Sequence, residues 1–272
     1  MWEKTPDGPD SLLWDLPALM ESPHVRWGTE GSPVRSLIYS GISFEGQPTE
    51  IFAYYANPRT IGRQDSPDTR YPGVVLVHGG GGKAYREWVE KWATAGYAAI
   101  AMDLGGKDGN GQVLAQAGPG QGGDDKYAAI AEGLTSTWSY HAVAAVIQAH
   151  SLLCSFPEVD AQRTAITGIS WGGYLTCIVA GLDHRFQAAC PVYGCAFFDQ
   201  CEDPAKALQK LSPLQRSQWM KWLDPQHYLP LATCPLLFVN GNRDFAFSIE
   251  PYHHTYQLLP DSQTTIKLTP DM

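Results

Sequence analysis

The residues with the plainest chemical purpose lie in Gly168-Ile169-Ser170-Trp171-Gly172-Gly173, which satisfies G-x-S-x-G between an apolar run and a helix-like stretch. A sharp strand-to-helix turn holds its central residue at strained backbone angles and tolerates only small flanking residues. Gly168, Gly172 and Gly173 meet that demand, so Ser170 is the expected nucleophile. The helix that starts behind it offers unpaired N–H groups and a positive partial charge to a developing oxyanion. The amide of Trp171 is one expected donor. Upstream, the apolar run Val74 to Val77 ends in His78-Gly79-Gly80-Gly81-Gly82, where bare backbone can approach a substrate oxygen. Gly80 or Gly81 is the second expected donor, and His78 is read as a structural residue bonding the loop. A phosphate-binding loop is the rival reading of these glycines, but Lys83 is followed by Ala84 and Tyr85 rather than forming G-K-[ST].

The elements that must position these groups follow from periodicity. Two alternating segments around Glu45-Gly46-Gln47-Pro48 predict a hairpin. Continuous apolar runs recur at YPGVVLV, YAAIAMDL, RTAITGIS, FQAACPVYG, CPLLFVNG and TTIKLTPDM, the pattern of strands buried on both faces of a parallel sheet. Helix-like stretches fall between them at Tyr85 to Ala95, Trp138 to Cys154 and Gly172 to Leu182. The alternation predicts an α/β fold with a mostly parallel eight-stranded sheet, helices on both faces and an antiparallel opening pair, which is the α/β-hydrolase plan. Gly105 to Gly123 is too glycine-rich for a regular element and is read as a loop. Residues 197–229 read as a small helical insertion, a place where a lid would sit. One domain over residues 1–272 is expected.

On this plan the acid follows the strand PLLFVNG, which places Asp244 in that role, and the histidine follows the last strand. The expectation is therefore a histidine beyond Met272 in a chain truncated after that strand. His253 and His254, in the helical stretch before it, are the weaker alternatives within the sequence. Trp88 and Trp138 read as core. Tyr193, Trp219 and Trp222 are candidates for the substrate pocket.

Together VLVHGGGG, EWVEKWATAGYAAIAMDL, AITGISWGGYLTCIVAGLD, PVYGC and NGNRDFAF resemble the dienelactone-hydrolase and acetyl-xylan-esterase-like branch of the α/β-hydrolases, also called prolyl-oligopeptidase-like. The resemblance covers nearly the whole chain. It implies hydrolysis of carboxylic esters without metal or organic cofactor, with Ser170 and Asp244 at the matching positions. A peptidase of the same fold and a catalytically inactive binding module are the competing expectations.

Composition narrows the partners. The chain carries 19 basic and 28 acidic residues, a formal net charge of −9, with no basic cluster for a phosphate backbone. Nucleic acid is not expected, and a neutral small-molecule ester is. No apolar stretch is long enough to span a membrane, and the N-terminus lacks the pattern of a secretory signal, so a cytoplasmic location is expected. The six cysteines lack C-x2-C metal spacing and read as buried thiols, with a Cys195–Cys201 bridge as an alternative.

Overall fold

A computed structural model describes residues 13–28, 31–123 and 125–270. The strands are β1 (Val25–Trp27), β2 (Arg35–Phe44), β3 (Gln47–Ala56), β4 (Tyr71–Val77), β5 (Ala98–Met102), β6 (Val159–Ile169), β7 (Ala188–Val192), β8 (Leu236–Gly241) and β9 (Thr264–Thr269). The helices are α1 (Leu16–Met20), α2 (Arg86–Thr94), α3 (Asp125–Ala128), α4 (Trp138–Ser155), α5 (Trp171–Leu182), α6 (Glu202–Leu208), α7 (Pro213–Leu223) and α8 (Ile249–Tyr256). One sheet runs β1-β2-β3-β5-β4-β6-β7-β8-β9. The pairs from β1 through β3 to β5 are antiparallel, and those from β5 to β9 are parallel.

Among the described residues the sheet has nine strands, where eight were expected. The extra strand, β1, has three residues, too few to show an alternation in sequence. It is held by pairing Val25 with Tyr39 and Trp27 with Leu37. Trp27 also packs against Tyr55 and Phe156, with the Arg35 guanidinium 4.0 Å from its ring centroid.

Chain order reverses at β4, which has β5 on one side and β6 on the other. Loops leaving the carboxyl ends of β4 and β6 therefore diverge from a common crevice, where ligands bind in open α/β sheets. Val77 is in register with Gly168, so the HGGGG loop and the Ser170 turn begin side by side.

Apolar side chains surround α4 on every face of the helix, and its residues from Trp138 to Leu153 are nearly all buried, wedged between the sheet, α1 and α5. The opposite face of the sheet is covered by α2 over β3, β4 and β5, through Val89 and Ala93 against Val74, Leu76, Ala99 and Ala101. The Gly105 to Gly123 stretch has no named helix or strand, only a bridge between Lys107 and Val113. Residues 197–229 are helical, as expected, and contain α6 and α7. Ser212 and Gln215 form a reciprocal capping box at the start of α7, with Pro213 in its first turn.

Candidate active site

Ser170 sits between β6 and α5 at φ 55° and ψ −121°. A residue with a Cβ adopts such angles only when its surroundings dictate them. Here they do. The Ser170 N–H donates to Val192 O at 2.9 Å, and Tyr174 N–H donates to Ser170 O at 3.0 Å. Glycine is required on the helix side, because a Cβ on Gly172 would lie 2.2 Å from Val77 O, and one on Gly173 2.8 Å from Val192 O.

The HGGGG loop is organised by His78, which is almost fully buried. Its Nε2 accepts the Leu104 N–H at 2.9 Å, and its Nδ1 lies 2.7 Å from Gly79 O. A carbonyl can only accept, so the proton is on Nδ1 and the ring is neutral. Burial lowers its pKa in the same sense. The loop then turns beside the serine. A Cβ on Gly79 would lie 3.1 Å from Ser170 Cβ, and one on Gly80 would lie 2.8 Å from Trp171 Cδ1. Gly81, at φ 67°, donates its N–H to Gln121 Oε1 at 3.0 Å. Of the two glycines singled out from the sequence, Gly81 thus has its amide engaged within the protein.

Asp244 lies just past β8, two strands from β6. Its Oδ1 accepts the N–H groups of Ala246 at 2.8 Å and Phe247 at 2.7 Å. Asn240 secures the same loop, its Nδ2 donating to Phe247 O at 3.0 Å and its Oδ1 accepting the Gly241 N–H. Ala246 and Phe247 also line the pocket that contains Ser170, so the Asp244 turn and the serine border one space. Tyr193, at the end of β7 between them, has φ 37°. Burial raises its phenol pKa, and the charge of Asp244 raises it further.

That pocket has a volume of about 190 Å³, and its other walls are Lys126, Tyr127, Trp171, Asp203, Pro204 and Ala207. The Lys126 ammonium lies 5.0 Å from the Trp171 ring centroid. None of Tyr193, Trp219 and Trp222 lines it. Trp219 is fully buried behind it, packed on Tyr127, Tyr174 and Phe198. Trp222 is half-buried against the core beneath Lys221. The insertion contributes Trp219, Leu208 and Leu223 to the core, which makes it part of the packed body of the domain.

The other seven histidines are held elsewhere. His253 Nδ1 bonds the Tyr256 hydroxyl, and His254 Nδ1 lies 3.0 Å from Gln200 Oε1, both on the exposed side of α8. His141 bonds Thr135 O, His150 bonds Asp183, and His184 bonds Gly181 O. His24 is exposed, and His227 bonds the Met220 backbone. Among the described residues, no histidine is hydrogen-bonded to Ser170 or Asp244. The end of β9 adjoins the Asp244 loop: Asn242 N–H donates to Thr269 O at 3.3 Å, and Gly241 is in register with Thr269.

Sequence reading missed Tyr127, Gln121, Asn240 and Asp224. The first two follow or close a stretch legible only as loop. Asn240-Gly241 carries a turn signal, masked by the apolar strand before it. The fully buried Asp224 accepts the N–H groups of Phe197, Phe198 and Gln226. Its only local signal was Asp before Pro225.

The fold is shared with an acetyl xylan esterase from Paenibacillus sp. R4 (TM-score 0.73, 22% identity, 98% of this chain and 92% of that one). It is also shared with acetyl xylan esterase 1 from Thermoanaerobacterium sp. JW/SL YS485 (TM-score 0.67, 17% identity, 97% and 90%). Among curated proteins the chain is 25% identical to the acylamino-acid-releasing enzyme of Sus scrofa over 97% of its own length, and 29% identical to the uncharacterized peptidase YuxL of Bacillus subtilis (strain 168) over 45%. It spans 37% and 17% of the lengths of these two relatives. The model of the acetyl xylan esterase (AXE1) family matches residues 34–227, well over half of the sequence, and the chain belongs to that family.

Proposed function

We propose that this protein is a serine esterase that cleaves acetyl or other short acyl esters, including those on carbohydrates, through an acyl-enzyme. The observation that carries the reading is the backbone of Ser170: a residue with a Cβ held at φ 55° at the mouth of a pocket. Ser170 Oγ attacks the acyl carbonyl. The N–H groups of Gly80 and Trp171 bind the resulting oxyanion, and water later releases the acyl group. Gly80 is preferred to Gly81 because the Gly81 amide is already bonded to Gln121. Asp244, with two N–H bonds on Oδ1, retains Oδ2 to accept from an imidazole and stabilise its cation. The imidazole is assigned to a histidine after β9, a reading supported by Asn242 N–H donating to Thr269 O, which sets the end of that strand beside the Asp244 loop. A pocket of about 190 Å³ walled by Tyr127, Trp171 and Phe247 suits a short acyl group.

Hydrolysis of acyl amides is the second reading, favoured by the two curated relatives, both named for peptide chemistry. A fluorophosphonate probe followed by peptide mapping tests the nucleophile, and labelling at Ser170 is expected. Paired p-nitrophenyl esters and p-nitroanilides of the same acyl groups separate the two activities, with faster ester turnover expected. Labelling elsewhere overturns the assignment of Ser170.

A further inference from the structure

We propose that Cys195 and Cys201 form a buried dithiol that a disulfide oxidant converts into an intramolecular bridge across the wall of the Ser170 pocket. The two sulfurs are 3.5 Å apart, and both side chains are fully buried. Closure to a bond of about 2.05 Å requires an approach of about 1.5 Å. The other four cysteines are also free thiols, but only this pair has its two sulfurs in contact among the described residues.

The backbone around the pair is fixed from two sides. Ala196 N–H donates to Thr255 Oγ1 on α8 at 2.9 Å, and Asp224 accepts the N–H groups of Phe197 and Phe198. Phe197 is in the left-handed region at φ 59°, which folds the chain back so that Cys201 returns to Cys195. Cys201 Sγ also lies 3.6 Å from Phe197 O. A bridge therefore closes a loop whose ends already meet, and little native geometry has to change.

The position gives the bridge a consequence. Cys201 immediately precedes α6, which carries the pocket residues Asp203, Pro204 and Ala207. The loop also contains Phe198, whose ring packs 5.2 Å from that of Trp171. Oxidation ties this wall to the end of β7, next to Tyr193.

With oxidised glutathione the step balances. One cysteine thiolate attacks a glutathione sulfur and expels a glutathione thiolate. The second cysteine loses its proton and displaces the other glutathione from the mixed disulfide. Two protein thiols give up two electrons and two protons, and two glutathione thiols are formed. Burial pushes the Cys195 thiol pKa up, so reaction proceeds through transient opening of the segment and is faster at alkaline pH.

The test uses the full chain and does not depend on the proposed esterase activity. The protein is incubated with oxidised glutathione at alkaline pH, quenched with an alkylating agent and mapped by peptide mass. The expected result is loss of two alkylatable thiols, a linked peptide pair containing Cys195 and Cys201, a Tm higher by about 5 °C, and reversal by dithiothreitol. Cys195→Ser and Cys201→Ser should each abolish the Tm gain. Both cysteines remaining alkylatable at equilibrium, or ending as separate glutathione adducts, overturns the proposal. The map of the unsubstituted protein decides this even where a variant does not fold.

Discussion

His150 Nδ1 lies 2.7 Å from Asp183 Oδ2, with neither side chain exposed, so the tightest histidine–aspartate pair among the described residues is one helix away from the candidate nucleophile. Ser170 precedes α5 and Asp183 follows it, about 20 Å apart along the axis of a twelve-residue helix. His150 Nε2 lies 2.9 Å from Thr164 Oγ1, and its ring stacks on Phe186. Arg185 pairs with the same carboxylate. The cluster ties α4, β6 and the end of α5 together.

That arrangement gives stability a definite pH dependence. Burial lowers the pKa of His150, and also those of His78, His141 and His227. Below about pH 6.5 the unfolded chain binds protons that these folded histidines resist, so stability is lost as pH falls through that range. Asp224, pushed up to about 6 by burial, acts in the opposite sense below pH 6 and offsets one of the four. Urea midpoints measured between pH 7.5 and 5.5 should fall with pH, more steeply below about pH 6.5 than above it. A flat profile would show that these histidines protonate equally well in the folded state.

Gly172→Ala should destabilise the fold strongly, because its Cβ would meet Val77 O at 2.2 Å and His78 O at 2.7 Å, both main-chain atoms of the neighbouring strand and loop. The expected cost is about 3 kcal/mol or more, read as a lower urea midpoint. A midpoint within experimental error of the parent would mean the turn is looser than its contacts indicate.

The two oxyanion candidates can be separated by substitution. At Gly80, valine drives against Trp171 Cδ1 and should lower kcat about 100-fold for a stability loss of about 1 kcal/mol. At Gly81, valine meets open space but a positive φ, so about 1–2 kcal/mol of stability should be lost with a smaller fall in kcat. The reverse order would assign the donor to Gly81.

Ser170→Ala removes one hydroxyl and should reduce ester hydrolysis by at least about 1,000-fold while Tm stays within about 2 °C. Turnover within a few-fold of the parent would place the nucleophile elsewhere.

Asp224→Ala leaves three N–H groups, those of Phe197, Phe198 and Gln226, without their acceptor in a fully buried place. The expected loss is about 3 kcal/mol or more. Because Phe198 packs on Trp171, the KM for short esters should rise as well, which kinetics on the folded fraction would reveal.

The sequence by itself determined the elements that depend on local chemistry. The β-branched run before HGGGG, the small residues around Ser170 and the turn after β8 each carry their signal within a few residues. The strand-helix alternation dictated a parallel sheet whose loops meet at one edge. What only the tertiary structure decided depends on contacts between residues far apart in the chain. β1 exists because β2 offers it an edge, and its three residues could not announce it. Trp219 and Trp222 looked alike in sequence, yet one is buried behind the pocket and the other lies half-buried near the surface, because burial is set by what packs against α7. Gly80 and Gly81 were equivalent until Gln121, forty residues away, bonded one amide and left the other nearer Trp171. The same physics explains His150: a histidine in an apolar helix has no local mark of its partner, and only the fold brings Asp183 and Thr164 to its two nitrogens.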